Sequence, residues 1–151
     1  MCRWCVKKNG GQAAQALGRS RGGFSTKIHV LVDALGNPLT FVLTPGQRHD
    51  CTQAAHLLQA VCCDYVIADK GYDSDALLQL IAEQQAIPVI PAKKNRSQSR
   101  DYDKHLYKER HLVECFFNKI KWFRRIFARF DKLDSRYLGF LSFVSTLLWL
   151  R

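Results

Sequence analysis

Two carboxylates and a row of polar side chains carry whatever chemistry this chain performs. Asp69 ends a short apolar run, Tyr65-Val66-Ile67-Ala68, and leads into Lys70-Gly71-Tyr72, a pattern that puts an acid at the carboxyl end of a buried strand. Further on, Tyr107, Arg110, Glu114 and Lys121 recur at near-heptad spacing within a stretch of helical periodicity. At roughly 100° per residue, positions seven apart fall within about 20° of one another, so Tyr107, Glu114 and Lys121 share one helix face with Arg110 beside it. A carboxylate flanked by cations suits an acidic metal ligand next to a phosphate backbone. The same stripe, taken alone, also fits a solvated charged face.

Acids at a strand end and on an adjacent helix are what a two-metal phosphoryl-transfer site requires. Magnesium or manganese (Mg2+ or Mn2+) prefers hard oxygen ligands and keeps some waters, so a few carboxylates suffice while the nucleic-acid phosphate supplies the remaining oxygens. Asp69 and Glu114 are the candidate metal ligands, provided the helix packs across the sheet edge. Lys93, Lys94, Arg96 and Arg100 form a basic loop just before that helix, and phosphate contacts there would make DNA affinity fall with salt. A solvated surface loop is the competing reading.

The bulk properties fit a partner of this kind. The chain has 151 residues, 47% of them hydrophobic, enough for one domain with a real core. Lys and Arg number 23 against 13 Asp and Glu, a formal charge of +10 that attracts polyanions. Cys2-Arg3-Trp4-Cys5 is formally a CxxC, but Cys51, Cys62-Cys63 and Cys115 supply no second half of a zinc site. With no signal peptide at the start, the cysteines read as reduced thiols of a cytosolic protein. The apolar run from Tyr137 to Leu150 is shorter than the roughly 20 residues of a membrane span and reads as a buried closing helix.

The elements follow from periodicity. Residues 1–23 are basic and Gly-rich without sustained apolar period, and are expected as a flexible arm. Residues 24–151 then form the domain proper. Two β-rich runs flank Gly36-Asn37-Pro38, a hairpin signal. Asp33 is a turn residue in this reading, and His29 packs or bonds within the sheet. Asp50 is placed to cap a helix carrying Ala54, Leu57 and Leu58, and Ser74 or Asp73 to cap the next. Ile87 to Ile90 contains Pro88 and belongs at a sheet edge. Trp122, Phe123, Phe127, Phe140, Phe143 and Trp149 follow helical spacing and are expected in the core. The order strand, strand, helix, strand, helix, strand, helix, helix gives an α/β class with a mixed sheet flanked by helices.

These motifs together resemble a family. Asp69-Lys70-Gly71-Tyr72-Asp73 with Tyr107, Arg110, Glu114 and Lys121 looks like the catalytic half of a bacterial insertion-sequence transposase of the DDE type, whose core is RNase H-like. Gly18-Arg19-Ser20-Arg21-Gly22-Gly23 with Thr26-Lys27-Ile28-His29, then Gly46-Gln47-Arg48-His49-Asp50 and Arg129-Phe130-Asp131-Lys132, extend the resemblance from about Gly18 to Arg151. It implies that Asp69 is the second acid and Glu114 the third, both metal ligands in DNA strand cleavage and joining. Tyr107, Arg110 and Lys121 then assist catalysis and contact DNA near the cleaved end. The implied partners are double-stranded DNA, at element ends and target, and another copy or a second transposase polypeptide. The implied setting is bacterial cytoplasm, at the nucleoid when DNA is bound.

One departure bears on activity. In such transposases the first acid lies on the opening strand, upstream of the segment matching Gly18 to His29, and this chain has no Asp or Glu before Asp33. The expectation is therefore a partial RNase H-like domain with its first strand missing or incomplete. It would be a truncated transposase, or the second product of a split reading frame, silent alone. The alternative function is a non-catalytic DNA-binding or oligomerising remnant that modulates an intact transposase.

Overall fold

Alternation of apolar and polar residues from Thr26 onward does produce a long hairpin. In a computed structural model describing residues 12–20, 23–59, 61–96 and 100–150, β1 (Gly18–Ser20) pairs antiparallel with the start of β2 (Gly23–Val32), and β2 pairs antiparallel with β3 (Pro38–Pro45). The turn between β2 and β3 is built by Asp33, whose carboxylate accepts the N–H groups of Leu35 at 2.9 Å and Asn37 at 2.8 Å. Gly36 sits at φ 84°, which glycine adopts without strain. Pro38 opens β3, where its missing N–H costs least.

Helix α1 (Cys51–Leu58) follows, then β4 (Tyr65–Ile67), a 3-10 turn at Lys70–Tyr72, α2 (Asp75–Glu83) and β5 (Ile87–Val89), which lies parallel to β4. Ser74 caps α2 as expected, its hydroxyl accepting the Leu77 N–H at 3.3 Å. Asp50 does not cap α1: its side chain makes no cap bond and instead pairs with Lys27 Nζ at 2.8 Å. A cation across the sheet competes successfully with the helix N–H groups for that carboxylate.

The signature segment is not one continuous α-helix. Leu106–Arg110 is 3-10, and α3 (His111–Lys121) begins only after it. The phase assumed for Tyr107 therefore changes, because 3-10 residues advance by about 120°. A short α4 (Arg124–Phe127) and a long α5 (Asp134–Trp149) complete the fold. Among the described residues, no helix is long and apolar enough to cross a membrane.

The strands form two separate sheets, β1-β2-β3 and β4-β5, not hydrogen-bonded to one another. Two cores match them. Ala54, Leu58, Val66, Leu77 and Ile81 join α1, α2 and β4 on one face. On the other face Phe116, Ile120, Tyr137, Leu141 and Val144 of α3 and α5 pack against Ile28 and Val30 of β2. Strand pleating explains the division, since His29 and Leu31 point to the α1/α2 side.

Two expectations change. Trp122 is 89% exposed and Phe127 72%, with Phe143 and Trp149 also exposed, so these four are not core. They follow helical spacing but are left open to solvent, Trp149 with only its indole N–H engaged, on the Pro38 carbonyl. Residues 12–20, assigned to the arm, are folded onto the body. Arg129 donates to the carbonyls of Gln15 and Ala16 and to the Thr26 hydroxyl, and the Asp134 N–H bonds Gln15 Oε1. Cys2 and Cys5 lie outside the described residues.

Candidate active site

Asp69 stands just past the end of β4, where its carboxylate accepts the Lys70 N–H at 2.8 Å and its carbonyl accepts the Tyr72 N–H at 2.8 Å. The turn leaves the carboxylate exposed. Glu114 lies in the first turn of α3, where a negative charge is favoured by the helix dipole. Arg110, immediately before α3, donates through Nη2 to Glu114 Oε1, and its guanidinium lies 5.9 Å from the Tyr107 ring centroid. Asp69, Arg110 and Glu114 line one cavity of about 250 Å³ whose other walls are mainly apolar.

The electrostatics agree with this convergence. Burial and then the charge of Asp69 raise the pKa of the Tyr107 phenol, with Glu114 adding to it. Burial works against the Arg110 charge, but the hydrogen bond and charge of Glu114, aided by Asp69, outweigh it and strengthen the cation. Both side chains thus sense both acids. Lys121 is the member of the stripe that stays apart. Seven residues beyond Glu114, it lies about 10 Å further along the helix, exposed and outside the cavity lining.

Behind Asp69 lies a polar relay that the sequence reading resolved only in part. His29, buried as expected within the sheet, hydrogen-bonds Tyr72 Oη through Nδ1 and Thr44 Oγ1 through Nε2, each at 2.9 Å. Burial lowers the His29 pKa, and burial plus the charges of Asp50 and Asp69 push Tyr72 up to about 12. Asp50 approaches Gly71 so closely that a Cβ there would stand 3.2 Å from Asp50 Oδ2. Asp50 is therefore a third carboxylate near the Asp69 turn, neutralised by Lys27. The sequence reading took Asp50 as a helix cap and held no sign of its pairing with Lys27.

The basic loop is largely engaged by protein acids. Asp73, 3% exposed, accepts the Lys93 N–H at 2.9 Å, Arg96 Nε at 2.7 Å and Arg100 Nη1 at 2.9 Å. Lys93 Nζ donates to the Asp73 carbonyl, and Asp75 holds both arginines from outside. Lys94 is exposed.

The donor set suits a hard divalent cation only in part. Asp69 and Glu114 offer carboxylate oxygens on one cavity, but among the described residues no three His, Cys, Asp or Glu side chains converge as a ligand group. Two carboxylates can hold such an ion when water and phosphate complete its shell.

Residues 4–144 match the transposase DDE domain family. A Brucella ovis protein bearing the name of a transposase for insertion sequence element IS6501 is 43% identical over 129 residues, covering 84% of this chain and 99% of that one. A Burkholderia cepacia protein named as a transposase for insertion sequence element IS402 is 28% identical over 152 residues, covering 93% of this chain and 67% of the other. No solved structure matches the chain. With the family match spanning nearly the whole sequence, the chain belongs to the DDE transposases of bacterial insertion sequences, with an RNase H-like α/β core.

Proposed function

We propose that this chain contributes Asp69 and Glu114 to a site that cleaves DNA at the ends of an insertion sequence and joins the freed 3′ hydroxyl to target DNA. The observation that carries the reading is the convergence of Asp69, Glu114 and Arg110 on one cavity. DDE transposases depend on divalent cations. Magnesium or manganese, held by the free oxygens of Asp69 and Glu114, would supply positive charge for the attacking and leaving oxygens.

The chain's own residues have separable tasks. Arg110 fixes the Glu114 rotamer through its hydrogen bond and presents a guanidinium to phosphate. Tyr107, its proton held tightly, donates a hydrogen bond rather than accepting a proton. Lys121 and Lys94 contact the duplex backbone away from the scissile bond. Lys93 and Arg96 add positive charge, while their hydrogen bonds hold the loop on Asp73. Such a protein works in the bacterial cytoplasm, at the nucleoid when DNA is bound.

With two acids rather than three at the cavity, the chain alone is catalytically silent in this reading, and binds element ends as a partner of a further polypeptide. Supercoiled plasmid carrying cognate ends is incubated with the chain and magnesium. No nicking is expected, and nicking that disappears in Asp69→Asn would overturn the silent state. Manganese binding, read by electron paramagnetic resonance of the free ion, is expected to weaken in both Asp69→Asn and Glu114→Gln. Unchanged binding in either variant would remove that residue from the metal site.

A further inference from the structure

Asp73 and Asp75 share two arginines but hold them in different ways. The inner acid, Asp73, is buried and takes Arg96 Nε on one oxygen and Arg100 Nη1 on the other, with the Lys93 N–H completing the set. A buried carboxylate satisfied in this way fixes the place of both guanidinium groups. Each arginine then presents a further nitrogen outward, and Arg96 Nη1 (3.0 Å) and Arg100 Nη2 converge on a single oxygen, Oδ1 of Asp75. This outer acid has a side chain 77% exposed. It is also the first residue of α2, where the helix dipole favours a negative charge. Asp73 thus builds a two-armed donor site, and Asp75 is the anion that fills it. The two acids differ in what their removal costs. Withdrawing Asp73 would leave a buried charge without partners, whereas Asp75 can swing into water from an exposed ion pair that contributes little.

We propose that Arg96 and Arg100, clamped from inside by Asp73, form a fork for one phosphate of a DNA backbone, and that the Asp75 carboxylate plugs this fork in the free protein and is displaced when the phosphate enters. A guanidinium fork matches phosphate as well as carboxylate, so the exchange keeps the hydrogen bonds of both arginines. A single free phosphate would only replace one anion by another. A duplex does more, because neighbouring phosphates reach Lys94, exposed on the same loop, and Lys70, exposed on the Asp69 turn. The Asp73 N–H bonds the Lys70 carbonyl at 3.2 Å, which keeps that turn beside the fork. These added contacts, each releasing counterions from DNA, tip the exchange towards the polymer. Until it arrives, Asp75 cancels charge that would otherwise draw any small anion. The inference rests on DNA as the partner in the proposed function and takes nothing from the metal site.

The test measures binding of a fluorescent random-sequence duplex to the full chain by anisotropy, at about 100 mM salt, where charges more than about 10 Å apart are screened. Wild type is compared with Asp75→Asn, Arg100→Gln, the two combined, and Glu83→Gln. Glu83, exposed at the far end of α2 with Gln79 as its hydrogen-bond partner, reports what the loss of any surface acid does. Asp75→Asn is expected to bind about two- to fivefold tighter than wild type, the equivalent of one exposed ion pair that no longer has to be broken, while Glu83→Gln stays close to wild type. In the double variant the gain disappears, so that it binds no better than Arg100→Gln alone. Asp75→Ser, equally small and neutral, carries the same expectation and stands in if urea melts show the Asn variant unfolded. A gain that Glu83→Gln equals, or that survives the loss of Arg100, is overall charge and overturns the proposal. Binding by wild type with no gain in the Asp75 variants refutes the displacement and leaves DNA as the partner. No duplex binding by any of these proteins, down to about 50 mM salt, refutes DNA as the partner and the fork with it.

Discussion

Asp73→Asn isolates the energetic contribution of a single buried carboxylate. Burial alone would raise the Asp73 pKa, but the hydrogen bonds from the Lys93 N–H, Arg100 and Arg96 outweigh it and bring the value from 3.8 down to about 2. At about 1.4 kcal/mol per pKa unit, a drop of this size corresponds to about 2 kcal/mol of folding free energy at pH 7. The folded-state pKa lies below the unfolded one, so this stability is fully present above pH 3.8 and is lost as the pH falls through 2. Asn imitates the protonated carboxyl. Urea unfolding of wild type and Asp73→Asn, followed by tryptophan fluorescence, should therefore show a gap of about 2 kcal/mol at pH 7, about half of it near pH 3 and little at pH 2. A gap that does not change with pH would mean that Asn disrupts packing rather than charge. No gap at pH 7 would refute the ion cluster as a source of stability. The same variant should loosen the loop that carries Lys94, visible as faster proteolysis around Arg96 and Arg100.

Three further outcomes follow from the geometry. Burial lowers the His29 pKa, so the folded state resists its protonation, and wild type should lose stability as the pH falls below about 6.5; in His29→Gln that component of the pH profile should be absent. Trp122→Ala should change stability by less than about 0.5 kcal/mol, whereas Leu141→Ala, at a fully buried position, should cost about 2 to 5 kcal/mol; comparable losses in urea melts would contradict the exposure of Trp122. Arg129→Ala removes the hydrogen bonds to Gln15, Ala16 and Thr26 and should expose residues 12–20 to limited proteolysis, with the strand pairing of β2 and β3 unchanged by hydrogen exchange.

The parts legible in the sequence were those fixed by local chemistry. Gly36-Asn37-Pro38 marked the hairpin because only a few residues tolerate that turn, and Ser74 marked the start of α2 through its own side chain. Asp69 stood out because an apolar run ended at it. What escaped depended on distant partners or on surface geometry. Asp50 has good capping chemistry, and only the approach of Lys27 from 23 residues away diverts it. The 3-10 segment at Leu106–Arg110 shares its side-chain spacing with the start of an α-helix, so periodicity does not separate them. Trp122 and Phe127 keep a helical rhythm at the ends of short helices, where nothing in the rhythm says which face the body covers. The anchoring of residues 12–20 depends on Arg129, which no local pattern near Gln15 announces.

That anchor also sets an order of events during synthesis. Arg129 reaches back across 113 residues to the Ala16 carbonyl, and Trp149 Nε1 across 111 to the Pro38 carbonyl at 3.0 Å. The hairpin's greasy underside is covered by helices that leave the ribosome last, so for most of translation the nascent chain carries a half-finished sheet with nothing on it. Loop closure over such distances is slow compared with local helix formation. A growing polypeptide in that condition keeps apolar surface uncovered, and its yield should depend more on elongation speed than on the final stability of the folded product.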